Sequence, residues 1–174
     1  MAEDGEPLGA GPSVRRRQIA NALNLSTVLG LGLAGLGGAR LTQGPGGLLL
    51  AERYRWSFPT GAAFTVGDVV ITSSTFSSLL SRHPDLLRHE EHHAQQWMRC
   101  LGLPFLPLYL ASMGWSWLRT GDRASRCVFE RQAGLARGGY VESPTRPLGP
   151  VLARGLRRLQ LPLRGRGPRR ARPA

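Results

Sequence analysis

Helical periodicity puts a glutamate where a folded chain tolerates one only under special conditions. From Pro84-Asp85, which suit the first turn of a helix, to Gly102, which suits its end, the chain reads as a single helix. At about 100° per residue, Leu86, Leu87, Ala94, Trp97, Met98 and Leu101 share an arc about 120° wide, and Glu90 lies inside it. A carboxylate aimed at a core is costly unless it is paired, linked to a metal or neutralised. His89, His93 and Cys100 run along one edge of that arc, whereas Arg88, Glu91, His92, Gln95 and Arg99 face away.

Residues four apart share a helix face, so His89 and His93 can reach one cation with Glu90 beside them. The spacing His-Glu-x-x-His meets the needs of metal-assisted hydrolysis, which takes two nitrogen ligands and an adjacent general base. A catalytic zinc needs a third protein ligand and one open position. Downstream of the helix the only acids are Asp122, Glu130 and Glu142. Asp122 follows a glycine and reads as the N-cap of a helix from Arg123 to about Arg137, ended by Gly138-Gly139. Glu142 lies beyond that double glycine. Glu130, on the flank of the second helix with Cys127 and Gly134, is therefore the third ligand this reading selects, with Gly134 leaving room for a close helix approach. With metal–ligand bonds near 2 Å, the Glu130 carboxylate and both histidine nitrogens must converge to within about 4 Å of one another.

The rest of the chain sets the frame. Residues 1–17 read as a disordered arm, acidic and Pro/Gly-containing before Arg15-Arg16-Arg17. Gln18 to Ala39 carries no charge, and its polar residues and glycines favour a partly buried helix over a membrane span. After a turn at Gln43–Gly47, Leu48–Tyr54 reads as a strand, broken by Phe58-Pro59-Thr60-Gly61. Residues 62–73 then read as two strands around a tight Gly67-Asp68 turn. A strand at that place can line a cleft and pair with extended backbone. Leu101–Leu118 is uncharged, but Pro104 and Pro107 confine a helix mainly to Leu108 onward, too short for a span. The fold class is α+β: a small sheet, a histidine-bearing helix and further helices. It forms one domain over residues 18–141, followed by an Arg/Pro/Gly-rich tail, 142–174.

The net charge of +12 comes mostly from that tail. Residues 143–174 hold nine arginines and no acid, leaving +3 for the remainder. The chain has no lysine, so its arginine content reads as compositional bias rather than a phosphate-binding surface. No nucleic-acid motif accompanies it. The tail's Val151, Leu152, Leu156 and Leu159 allow a weak contact with anionic lipid or an acidic partner. Cys100 and Cys127 are too few for a disulfide framework and lack the paired spacing of a structural zinc site.

His89-Glu90-x-x-His93 followed by Glu130-x-x-Ala133 resembles the gluzincin class of zinc metallopeptidases, in which a glutamate on a second helix completes the ligand set. AAFTVGDVVITS, LLRHEEHHAQQW with its Gln96, LGLPFLPLYL and WSWLRTGD are similar to a minimal metallopeptidase-like domain of bacterial contractile-injection-system proteins and to short bacterial proteins. The resemblance spans about residues 45–140. It implies Zn²⁺ held by His89, His93 and Glu130, Glu90 as general base, and a peptide or protein substrate. Larger gluzincins carry an aspartate where Gly134 stands, so an orienting carboxylate is missing here. His83, His92 and Tyr109 are the candidate donors to a developing oxyanion, with no choice among them, and Gln96 and Trp97 read as packing residues. The alternative is a non-enzymatic membrane-associated or adaptor protein, with or without metal. Either reading favours a cytoplasmic or peripherally membrane-associated chain.

Overall fold

The uncharged stretch after Arg17 divides into two helices. α1 (Pro12–Leu23) starts with proline at its first position, and α2 (Ser26–Leu36) leaves it at a 73° bend. In this computed structural model, which describes residues 11–56, 61–147 and 149, the break falls at Leu25, whose backbone is left-handed (φ 64°). Asn24 Oδ1 accepts from the Ser26 N–H and hydroxyl, satisfying the new helix start. The arm expected over 1–17 is therefore helical from Pro12; residues 1–10 lie outside the described residues. Asn21, one of the polar residues that argued against a span, docks α1 by donating from Nδ2 to the Ala94 carbonyl at 3.0 Å, and the flanking Arg17 is buried on Asp68 and Glu91.

Four short strands form a mixed sheet in the order β1-β2-β4-β3: β1 (Arg40–Gln43), β2 (Leu49–Glu52), β3 (Phe64–Val66) and β4 (Val69–Ile71). β1 pairs antiparallel with β2, β2 parallel with β4, and β3 antiparallel with β4. Ala51, Val69 and Ile71 face Ala34 of α2, while Leu50 and Val70 face Phe76, Leu87 and Ala94. The central strands are thus covered on both sides, which is why they read as continuous apolar runs. β1 has no expected counterpart, because all four of its residues are exposed and show no alternation.

The Gly67-Asp68 turn forms as expected. Gly67 has φ 62°, and a Cβ there would lie 2.3 Å from the Thr27 backbone nitrogen. α2 lies equally close at Gly30, where a Cβ would meet the Val66 carbonyl at 2.4 Å; Gly32 has nothing within 4 Å. The helix-weakening glycines of α2 therefore differ in kind. Gly32→Ala is expected to stabilise the fold by about 0.5–1 kcal/mol through helix propensity. Gly30→Ala is expected to destabilise it by about 1–3 kcal/mol through overpacking. Urea unfolding of the two variants checks the opposite signs.

α3 (Phe76–Arg82), capped by Thr75, was not anticipated. α4 (Leu86–Arg99) is the expected central helix, with Asp85 at its N-cap, so Pro84 lies just outside it. Its buried face is rotated towards the histidines: His89, His93 and Gln96 are buried, Met98 is half-buried and Leu101 exposed. α5 (Phe105–Thr120) starts earlier than expected, since Pro107 is its third residue, where no intrahelical N–H is needed. No single helix among the described residues is long and apolar enough to cross a membrane.

α6 (Val128–Ala133) is much shorter than the expected 123–137. Asp122 Oδ2 accepts from the Ala124 and Ser125 N–H groups and the Ser125 hydroxyl, holding a turn rather than capping a long helix. Gly134 (φ 90°) then ends α6 before Gly138-Gly139 is reached. The segment assigned to the tail begins attached to the body: the Ser143 N–H donates to Ser125 Oγ and the Arg146 N–H to the Arg119 carbonyl. Residues 57–60 and 150–174, with the expected break at Phe58–Thr60 and the tail's Val151–Leu159 pattern, lie outside the described residues.

Candidate metal centre

The residues singled out in α4 and the glutamate of α6 come together. His89 Nε2 and His93 Nε2 are 3.1 Å apart, His89 Nε2 is 3.2 Å from Glu130 Oε2, and His93 Nε2 is 3.6 Å from Glu130 Oε1. All three side chains are buried. A tetrahedral ion with bonds of about 2.0–2.1 Å holds its ligand atoms about 3.3–3.4 Å apart; here each histidine is near that distance from a different oxygen of Glu130, and one ligand atom from each of the three residues lies within 4.8 Å of the others.

Their tautomers follow from what lies behind them. His89 Nδ1 faces the Gly134 carbonyl at 3.1 Å, an acceptor, so Nδ1 carries a proton. His93 Nδ1 faces Gln96 Oε1 at 2.8 Å, and the Gln96 amide is oriented by donating from Nε2 to the Phe129 carbonyl at 3.0 Å. In the neutral rings both Nε2 atoms are then lone pairs aimed at one another and at a carboxylate. Glu130 Oε2 has no hydrogen-bond partner: its 3.2 Å contact with His89 has ion-pair distance without hydrogen-bond direction. Three converging lone-pair donors in a buried place repel unless a cation lies among them.

In the metal-free chain a proton partly serves. Burial pushes the His93 ring down, but the nearby Glu130 carboxylate, the Glu90 charge and Gln96 outweigh this and raise it. Burial pushes the Glu130 carboxyl up, yet His89, His93 and the Tyr109 hydroxyl outweigh it and hold the carboxyl well below the usual range. Proton and metal compete for the same lone pairs.

Glu90, the carboxylate inside the core arc, is 3% exposed, and its Oε2 accepts from the Thr65 hydroxyl at 2.7 Å. Thr65 is held in turn by Trp97, whose Nε1 donates to the Thr65 carbonyl at 2.9 Å. β3 is an edge strand, as a cleft-lining role requires, but that carbonyl is already taken and Thr65 and Val66 are buried.

The other expected donors separate. Tyr109 donates to Glu130 Oε1, so it supports a ligand; burial, then the Glu130 charge, raises its hydroxyl pKa. His92 turns back to the Arg88 carbonyl, away from the site. His83 lies against Gly139, where a Cβ would meet its ring at 2.8 Å. Gly138 lies on His89 in the same way, a Cβ there falling 2.6 Å from Cε1, and the Tyr140 ring stands 6.0 Å from the His89 ring. The double glycine thus allows the backbone to cover the site, a different job from ending a helix. A Cβ on Gly134 would meet only Arg137, so its contribution is a carbonyl and a turn, not room for α4. Cys100 and Cys127 are free thiols, and burial raises the latter's pKa.

Thr65 and the Gly134 carbonyl were missed in the sequence, and Gln96 was read as packing. Gln96 alone had a signal, its place three residues after His93. No known protein family, no curated protein and no solved structure matches the chain.

Proposed function

We propose that His89, His93 and Glu130 hold a zinc ion and that the chain is a zinc-dependent hydrolase, a metallopeptidase of gluzincin-like design acting on a peptide or protein. The observation that carries this reading is the convergence of three buried side chains whose ligand atoms lie within 4.8 Å of one another, with Glu130 Oε2, 3.2 Å from His89 Nε2, left without a hydrogen bond. When bound, the ion supplies a Lewis acid and brings the pKa of a water down to about 7. The chain's own residues do the rest. The Gly134 carbonyl and Gln96 keep the two Nε2 atoms facing inward, and Tyr109 steadies Glu130. The Gly134 carbonyl thus fills the orienting role that a carboxylate plays in larger gluzincins. Glu90, held at Oε2 by Thr65, takes a proton and returns it to the leaving amine. Tyr140, whose ring stands 6.0 Å from that of His89 and which is part-exposed, is a further candidate donor.

A second reading, a metal-bearing adaptor without turnover, is favoured by one observation: Glu90 and all three ligands are buried, with Gly138 lying directly on His89. Glu90→Gln separates the two. On the hydrolase reading this variant keeps the zinc content of the wild type and loses cleavage of a peptide library about 10²–10⁴-fold. Stoichiometric zinc with no cleavage by the wild type supports the adaptor.

A further inference from the structure

The two helix elbows of the fold meet, and both are tipped with leucine. Asn24, between α1 and α2, touches Gly102, between α4 and α5: a Cβ on Gly102 would lie 3.0 Å from the Asn24 carbonyl oxygen. The residues flanking this contact are Leu23 and Leu25 on one side and Leu101 and Leu103 on the other, exposed by 78%, 65%, 78% and 58%. Apolar stripes lead away from it. On α1, Ile19 and Leu23 continue from Arg16 at helical spacing; on α2, Leu29 and Leu36 follow Leu25; on α5, Leu106, Leu110 and Trp117 follow Leu103.

Two of these leucines are also strained. Leu101 occupies the left-handed position of a Schellman end, with φ 58°, the Leu101 N–H on the Met98 carbonyl and the Gly102 N–H on that of Trp97. Leu25 takes the same left-handed position after α1, with φ 64° and its N–H on the Ala22 carbonyl, while the Ser26 N–H goes to Asn24 Oδ1. Glycine or asparagine takes this backbone without strain, and either would be better hydrated. At both elbows the chain instead presents a large apolar side chain to solvent in a disfavoured conformation.

We propose that this double elbow is a membrane-docking surface that inserts its leucines into an anionic lipid bilayer. The charge around it selects the occupant. No acid occurs between Gly11 and Ala51 or between His92 and Gly121, whereas Arg15, Arg16 and Arg99 are exposed along the same helices and Arg119 stands over the Trp115 ring. Apolar tips on helices that carry exposed arginines and no acid match an acyl boundary beneath acidic headgroups. A second copy of this face would set arginine against arginine. All four leucines are more than half exposed, as a surface entering lipid requires. The proposal is independent of the metal centre, and it puts the contact on the folded body instead of the Arg-rich tail.

The test floats the full-length chain with phosphatidylcholine vesicles, with and without phosphatidylglycerol, and measures the bound fraction. The wild type is expected to bind the anionic vesicles and to keep part of that binding in high salt, where arginine contacts alone are screened. Leu25→Asn/Leu101→Asn is expected to bind them at least about tenfold less while its melting temperature holds or rises, since asparagine accepts left-handed backbone. Failure of the wild type to float with anionic vesicles overturns the proposal. So does undiminished binding by the double variant, which would hand the contact to residues 143–174. A wild-type dimer that the double variant dissociates, with neither form binding vesicles, would also overturn it in favour of a second copy.

Discussion

Purified and freed of loosely held metal, the chain is expected to carry one equivalent of zinc, and Glu130→Ala and His89→Ala to carry none. Each substitution removes one of three ligands, and the remaining two cannot close a tetrahedral site with water alone at comparable affinity. The Glu130 change also leaves two Nε2 lone pairs 3.1 Å apart without the carboxylate that completes the ligand set. A graded effect is expected one step further out. Gln96→Ala leaves all three ligands but frees the His93 ring to turn, and loss of such a partner typically costs 10–100-fold in affinity. Elemental analysis together with a competitive zinc chelator reads both effects, with circular dichroism as the control for folding. Metal-free wild-type protein, or variants that keep full zinc, would dispose of the site.

Arg17→Ala is expected to destabilise the fold by about 3–5 kcal/mol, as removal of one partner from a buried ion pair does. Arg17 is 1% exposed and donates from Nε to Asp68 at 2.6 Å, from one terminal nitrogen to Glu91 at 2.7 Å and from the other to the Gly46 carbonyl at 2.5 Å. One planar group thus ties α1 to the hairpin turn, to the turn before β2 and to the residue after Glu90. Its loss leaves Asp68, itself 2% exposed, without its cation. Against a total stability of about 5–15 kcal/mol for an ordinary domain, that is enough to populate unfolded chain. Arg17→Lys is expected to rescue little, because an ammonium cannot reach three acceptors in the geometry of the guanidinium fork. Arg17→Met combined with Asp68→Asn should recover part of the loss by removing the stranded charge. Urea unfolding measures all three variants, and a loss below about 1 kcal/mol in Arg17→Ala would show that the network does not hold the fold together.

Several features were legible in the sequence because they depend on short-range periodicity. A 3.6-residue repeat was enough to set Glu90 in the core arc of α4, with His89 and His93 along its edge. A β-branched run around Gly67-Asp68 was enough to make the β3–β4 hairpin. Glu130 was reached by elimination, since few acids follow α4. It lies on a helix as expected, although that helix was drawn too long, because residue 130 is in the part of the predicted helix that forms.

What the tertiary structure decided depends on groups that have no sequence signature. The break between α1 and α2 uses a leucine in left-handed backbone, where sequence rules look for glycine. The parallel pairing of β2 with β4 joins strands separated by a crossover, and local pattern does not encode it. Arg17 looked like one of three basic residues flanking an apolar run, and only long-range contacts with Asp68 and Glu91 bury it. The orientation of His89 is set by a backbone carbonyl, that of Gly134, which any residue would carry in sequence but only this turn aims. The sequence by itself determined that two histidines and a glutamate share one face of a buried helix. The fold decided that Glu130, Thr65, Gln96 and the Gly134 carbonyl surround them, because hydrogen bonds between distant segments are directional and short, and only packed elements can bring such groups within reach.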